Sequence, residues 1–204
     1  MSDQWEPAIT AFEERDRQSP PCEGAMLFTG SSTIVKWETL AQDFPFAPVL
    51  NRGFGGSEVP DLLEYLDRVI VAYRPHVVVV YSGDNDLARR RSPRKVLDDF
   101  ATLQARIHAA LPETALVIVG LKPSPNRWAL ADAMREVNDG LAEWARAICR
   151  AEVVDVWDEM LGDDGLPRPD LYSDGLHLTP EGYRVWTERL SPRLKALWAN
   201  GAQR

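Results

Sequence analysis

Five short apolar runs punctuate the chain: AMLFT (25–29), PVLN (48–51), VVVVY (77–81), ALVIVG (115–120) and VVDVW (153–157). Each is too brief for an ordinary helix and rich in β-branched, aliphatic or aromatic residues, so each reads as a strand. Their near-continuous apolar character predicts burial on both faces, the condition of a parallel sheet covered by helices. The stretches between them agree. Residues 59–73, 93–111 and 127–150 carry apolar side chains at helical spacing, as at Leu62, Leu63, Leu66, Val69 and Ile70, and residues 180–199 close the chain as another helix. Alternation of this kind predicts an α/β fold around a five-stranded parallel sheet.

With 204 residues and 45% hydrophobic content, the chain can bury one sizeable core. A single domain is therefore expected over residues 23–204. Residues 1–22 form an N-terminal extension, helical over 5–17 and broken from the first strand by Ser19-Pro20-Pro21. A net charge of −8 argues against a nucleic-acid partner, which calls for a surplus of Lys and Arg. The start MSDQWEPAITAFEERDRQ lacks the basic and apolar regions of a secretory signal. No apolar run approaches the roughly 20 residues of a transmembrane segment. Cys22 and Cys149 are unclustered, which fits free thiols in the cytoplasm better than a disulfide framework or a zinc site.

In an open α/β sheet, ligands bind outside the carboxyl ends of the strands, so chemistry is sought in the loops that follow them. Those loops read Gly30-Ser31-Ser32, then Gly53-Phe54-Gly55-Gly56-Ser57, then Ser82-Gly83-Asp84-Asn85-Asp86. Acyl transfer needs a nucleophile, a base, a group that orients the base, and donors where the carbonyl oxygen becomes negative. Ser32 suits the first role. Glycines such as Gly56 and the amide of Asn85 suit the last. Base and orienting group are offered by SDGLHLTPEGY (173–183), where Asp174 precedes His177 by three residues, just ahead of a helix start with Thr179 as N-cap and Pro180 in the first turn. Each piece has a plainer reading: Gly-Ser-Ser and Asn-Asp are common turn chemistry, and Asp-x-x-His also suits a metal or a loop fixed by hydrogen bonds.

Taken together, the four segments resemble the SGNH, or GDSL-like, hydrolases, a family defined by Ser, Gly, Asn and His blocks. FTGSS (28–32) looks like the first block, NRGFGGS (51–57) the second, GDND (83–86) the third and DGLH (174–177) the fourth, in that order across most of the chain. GFGGS, GLKPSPNR and LHLTPEGY also look like the catalytic subunits of intracellular platelet-activating-factor acetylhydrolases and their bacterial relatives. The resemblance implies a flavodoxin-like, three-layer α/β/α sandwich over 23–204. It implies Ser32 as nucleophile, Asp174 and His177 as its partners, and an oxyanion hole of Ser32, Gly56 and Asn85. Gly56, five residues beyond Asn51, matches the family's oxyanion glycine. One position departs: Ser31 stands where the first block usually carries aspartate, which puts the usual wiring of that loop in question. Ser31 is also a rival nucleophile, although the Gly-x-Ser spacing favours Ser32. The Gly-x-Ser-x-Gly elbow of α/β-hydrolases is absent.

Residues 122–128 (KPSPNRW) follow the fourth strand on the same edge, which makes Lys122, Arg127 and Trp128 candidate substrate contacts. The run ARRRSPRK (88–95) suits attraction of an anionic substrate or a solvated loop. His76 and His108 have no carboxylate at useful spacing, and DEMLGDD (158–164) lacks the ligand alternation of a calcium loop, so no metal or cofactor is expected. The expectation is a cytoplasmic serine esterase that takes a small-molecule, short-chain ester through an acyl-enzyme. The alternative is a non-catalytic carbohydrate- or lipid-binding protein on the same scaffold.

Overall fold

The computed structural model describes residues 3–201. All five apolar runs form strands: β1 (Met26–Gly30), β2 (Val49–Gly53), β3 (Val77–Tyr81), β4 (Ala115–Val119) and β5 (Ala151–Val154). They pair in parallel in the order β2-β1-β3-β4-β5. Every residue of β1 and β3 is buried. Successive strand side chains point to opposite faces, so both faces of the sheet are covered at its centre, while the edge strands β2 and β5 are partly buried. Each valine of β3 removed from water contributes roughly 1.5–3 kcal/mol before the entropic cost of ordering.

The last strand begins earlier and ends earlier than its apolar run suggests. Pairing with β4 runs from Ala151 to Val154. Asp155 then turns the chain, its Oδ1 accepting the Trp157 N–H at 2.9 Å, and Val156 and Trp157 are buried outside the sheet.

The helices are α1 (Glu6–Gln18), α2 (Ser32–Val35), α3 (Leu40–Asp43), α4 (Val59–Glu64), α5 (Leu66–Val69), α6 (Asp84–Ala88), α7 (Pro93–Ala110), α8 (Ala131–Arg146) and α9 (Pro180–Gly201). The stretch 59–73, expected as one helix, is broken at Tyr65 and Ile70 into α4, α5 and a 3-10 turn at Val71–Tyr73. The first break turns the Tyr65 ring edge-on to Phe54, 6.0 Å between centroids. Residues ahead of α8 likewise form a 3-10 segment, Pro125–Leu130. At α9 the Thr179 Oγ1 accepts the Gly182 N–H at 3.2 Å, and Pro180 opens the helix as the sequence suggests.

The N-terminal helix packs onto the domain. Ile9 and Phe12 of α1 and Trp5 just before it join the core. Arg52 of β2 lies over the rings of Phe12 and Tyr73 and pairs with Asp16 at 2.5 Å. The Trp5 indole donates to the Gly55 carbonyl at 2.9 Å, bracing the loop after β2.

Strand order reverses beside β1: the chain leaves it for β2, then crosses back to β3 on its other side. Crevices open at such switch points, beyond the carboxyl ends of the two diverging strands. Here Gly30 of β1 lies opposite Tyr81 of β3. A Cβ on Gly30 would stand 1.9 Å from the Tyr81 carbonyl oxygen, and its φ is +127°, so only glycine fits. No described helix is long and apolar enough to cross a membrane.

Candidate active site

The loop after β1 places Ser32 at the rim of this crevice. The Ser31 N–H donates to the Tyr81 carbonyl at 3.1 Å, and Ser31 itself is buried in extended conformation. The chain turns into α2 at the next residue, so Ser32 is the first helical position. Its N–H belongs to the first turn, where no helical carbonyl can accept it.

The loop after β2 comes close to the same serine. Asn51 staples the two segments, its Nδ2 donating to the Ile34 carbonyl at 2.7 Å and its Oδ1 accepting the Gly53 N–H at 3.0 Å. A Cβ built on Gly55 would lie 3.8 Å from the Ser32 Cβ. Gly56 follows with φ +78° in open space, a left-handed conformation natural to glycine. Among the described residues, neither the Ser32 nor the Gly56 N–H is engaged by another protein group.

From the far side of the crevice comes α6, entered through Gly83 with φ +110°. The Asn85 Nδ2 donates to the Ser57 carbonyl at 2.9 Å, and its Oδ1 accepts from the Arg127 Nη2 at 2.7 Å. Its neighbours anchor the helix. Buried Asp84 pairs with Arg127 at 2.9 Å and with the Lys122 ammonium at 3.7 Å. Asp86, also buried, accepts the first N–H of α4, from Val59, and lies 3.3 Å from Arg91. Burial pushes the Asp86 carboxyl up to about 7, with the nearby Glu58 carboxylate adding to the rise.

The fourth segment supplies the histidine. Gly175, φ +79°, lets the chain turn back sharply, and Tyr172 and Leu178 form a short antiparallel bridge. Ser173 N–H donates to the His177 carbonyl at 2.8 Å, closing the loop between them. The Asp174 Oδ1 accepts the backbone N–H groups of Leu176 and His177 at 3.0 and 2.8 Å, and its Oδ2 lies 2.6 Å from the His177 Nδ1. These donors, the His177 backbone N–H first, hold the carboxyl well below the usual aspartate range. An ionised carboxylate only accepts, so the Nδ1 carries the hydrogen. That leaves Nε2 as the acceptor of the neutral ring. It stands 3.0 Å from the Ser32 Oγ.

Ser32, His177 and Asp174 are thus brought into one hydrogen-bonded line, with Gly56 and Asn85 on the segments flanking Ser32. The three predicted substrate contacts are placed differently from one another. Lys122 is 1% exposed, with its ammonium near Asp84 and the Tyr81 hydroxyl, and burial lowers its pKa. Arg127 is turned toward α6. Trp128 stacks on Trp157, 6.2 Å between centroids. In the basic run, Arg89 pairs with Glu58, Arg91 with Asp86 and Asp99, and Arg94 with Asp98, so these arginines do not form an unpaired cationic patch. Trp37 lies in the core, stacked on Tyr183. His76 packs on Trp198 and His108 meets Gln104, both away from this site.

Asn126 is a contributor that sequence reading did not single out. Its Nδ2 donates to the Asp174 carbonyl at 2.8 Å and its N–H to the Gly175 carbonyl at 3.0 Å. Flanking Pro123 and Pro125 are the local signal that this stretch is held rigid. No cluster of three or more His, Cys, Asp or Glu side chains placed to hold a metal ion occurs among the described residues.

The chain is similar to known proteins over most of its length. The model of the GDSL-like lipase/acylhydrolase family matches residues 23–185. An isoamyl acetate-hydrolyzing esterase 1 homolog from Bos taurus is 28% identical over 171 residues, covering 72% of this chain and 68% of its own length. Among solved structures, a Streptococcus pneumonia protein described as a platelet activating factor superposes with a TM-score of 0.82 at 21% identity, over 92% of both chains. A GDSL-like lipase from Bacteroides thetaiotaomicron superposes with a TM-score of 0.79 at 19% identity, over 92% of this chain and 97% of its own.

Proposed function

The chain belongs to the GDSL-like lipase/acylhydrolase family and is a carboxylic ester hydrolase, and from that premise we propose that it cleaves short-chain esters, acetyl esters above all, through an acyl-enzyme on Ser32. The observation that carries the reading is the line from the Ser32 Oγ to the His177 Nε2 at 3.0 Å and from the His177 Nδ1 to the Asp174 Oδ2 at 2.6 Å.

In the first half-reaction the Ser32 Oγ attacks the ester carbonyl carbon while the His177 Nε2 takes its proton. The carbonyl oxygen becomes an oxyanion, for which the N–H groups of Ser32 and Gly56 and the second amide hydrogen of Asn85 serve as donors. Asp174, kept ionised, stabilises the imidazolium. Collapse of the tetrahedral intermediate breaks the bond to the alcohol oxygen, which receives the proton from Nε2. In the second half, His177 activates water against the acyl-enzyme and returns the proton to Ser32 as the carboxylic acid leaves.

Two features favour a short acyl group. The segments around Ser32 are short turns and helices, with no long insertion among the described residues to roof a chain. The bovine relative is named for hydrolysis of an acetate ester. Exposed, unpaired Cys22 and Cys149 fit a reducing compartment such as the cytoplasm. The test is hydrolysis of p-nitrophenyl acetate, butyrate and octanoate by the wild type and Ser32→Ala. Activity that falls with acyl length and vanishes in the variant supports the reading. Equal rates in the two proteins would refute the assignment of Ser32.

A further inference from the structure

An asparagine amide presents an oxygen and an NH2 group of nearly equal size, so its orientation is decided by its partners. For Asn85 the two partners agree. The Oδ1 faces the charged Nη2 of Arg127 at 2.7 Å, and the Nδ2 faces the Ser57 carbonyl at 2.9 Å. Reversal would set NH2 against a guanidinium and oxygen against a carbonyl. One Nδ2 hydrogen is held by Ser57, which leaves the other free for a substrate. A cationic donor on Oδ1 also draws electron density from the amide, which strengthens that remaining N–H as a donor.

The guanidinium is itself held by charge. It pairs with buried Asp84, the residue before Asn85, at 2.9 Å, and the Arg127 side chain is only 15% exposed. A planar fork can serve the Asp84 carboxylate and the Asn85 carbonyl together, which a single ammonium does less well. The backbone is fixed too: the Arg127 N–H donates to the Ser124 carbonyl at 3.1 Å, and the preceding residue, Asn126, is bonded to Asp174 and Gly175. Two consecutive residues therefore touch the amide on one side of the crevice and the histidine loop on the other.

We propose that Arg127 is a positioning residue for ester hydrolysis, locking the Asn85 amide with its free N–H directed at the oxyanion; the inference rests on the oxyanion role given to Asn85 above. It acts through Asn85 and does not bind substrate.

The experiment is steady-state hydrolysis of p-nitrophenyl acetate by the wild type, Ser32→Ala, Asn85→Ala, Arg127→Met, Arg127→Lys and the double variant Asn85→Ala/Arg127→Met, with melting temperatures alongside. Arg127→Met is expected to lower kcat by about 10- to 100-fold, with KM within about threefold of wild type. Arg127→Lys recovers part of that loss. In the Asn85→Ala background the same Arg127→Met change costs less than about threefold, because the amide it positions is gone. If Arg127→Met does not fold, Arg127→Lys in the two backgrounds makes the comparison. An equal loss in both backgrounds, or a raised KM with unchanged kcat, overturns the proposal and marks direct substrate contact or general destabilisation. An active Ser32→Ala instead overturns the serine-esterase reading beneath it.

Discussion

The Nε2 of His177 lies 3.0 Å from the Oγ of Ser32, although 145 positions separate the two residues in sequence. The meeting is a product of topology. Ser32 leaves the carboxyl end of β1 at the strand-order reversal, and the loop ahead of α9 brings the imidazole back over the same edge. Asp174 then fixes the ring from the side opposite the serine.

The Asp174 carboxylate matters by selecting the tautomer. Asp174→Asn can present its NH2 to Nδ1, which would move the ring hydrogen to Nε2 and leave the serine without an acceptor. The variant should fold normally and lose kcat on the order of a thousandfold or more on p-nitrophenyl acetate. A loss under about tenfold would show that the ring needs no such partner.

Gly56 and Asn85 should differ in how they fail. Asn85→Ala removes one donor and should lower kcat by about 100- to 1,000-fold, with little change in KM. Gly56→Ala keeps its N–H, and its new Cβ meets nothing within 4 Å, but it strains a backbone at φ +78°. Its destabilisation should be about 1–2 kcal/mol, with a smaller loss of kcat. Melting curves and kcat measured on both variants separate the two effects.

Asn126 holds the turn that carries Asp174. Asn126→Ala removes the bond from its amide to the Asp174 carbonyl while the backbone bond to Gly175 stays. The expected result is a fall in kcat of about fivefold to fiftyfold with a melting temperature within a few degrees of wild type. Unchanged kcat would show that the histidine loop is held by its own bonds alone.

Buried Asp86 gives stability a distinctive pH response. Its carboxyl is held at about 7 in the fold against 3.8 ordinarily, so the folded chain keeps a proton that the unfolded chain has released across that window. Stability contributed by this group is therefore full below pH about 4 and is lost as pH rises to about 7. Between pH 5.5 and 8 the loss is on the order of 2 kcal/mol. Asp86→Asn should flatten the melting temperature over that interval. Identical pH profiles in the two proteins would count against the raised carboxyl. Asp174 acts in the opposite sense and lower down, since its depressed pKa contributes stability above the ordinary carboxylate range that is lost on acidification.

The sheet was legible because its apolar runs advertise burial, which is complete in β1 and β3 and partial in the edge strands β2 and β5, and β3 matches its run residue for residue. Boundaries failed where the apolar pattern runs on past the element: the Asp155 turn cuts β5 short, and the helix after Gly56 breaks at Tyr65, whose ring meets Phe54 edge-on. Glycine-bearing loops behind strands, with Asp174 and His177 before α9, exposed the candidate site in advance. Orientation was not legible. Lys122 and Arg127 follow a strand on the right edge, but composition says nothing of the buried Asp84 that turns both inward. Asn126 carries no signal of its own, because its partners are backbone carbonyls 48 or more positions away.

Covalent labelling separates Ser32 from every other serine as the nucleophile. Wild type and Ser32→Ala would be treated with an alkyl fluorophosphonate, weighed intact by mass spectrometry and digested to locate the adduct. One adduct per chain is expected, on Ser32 and not on Ser31, and absent from Ser32→Ala. An adduct retained in that variant, or a wild type that takes none while it hydrolyses ester, would contradict it.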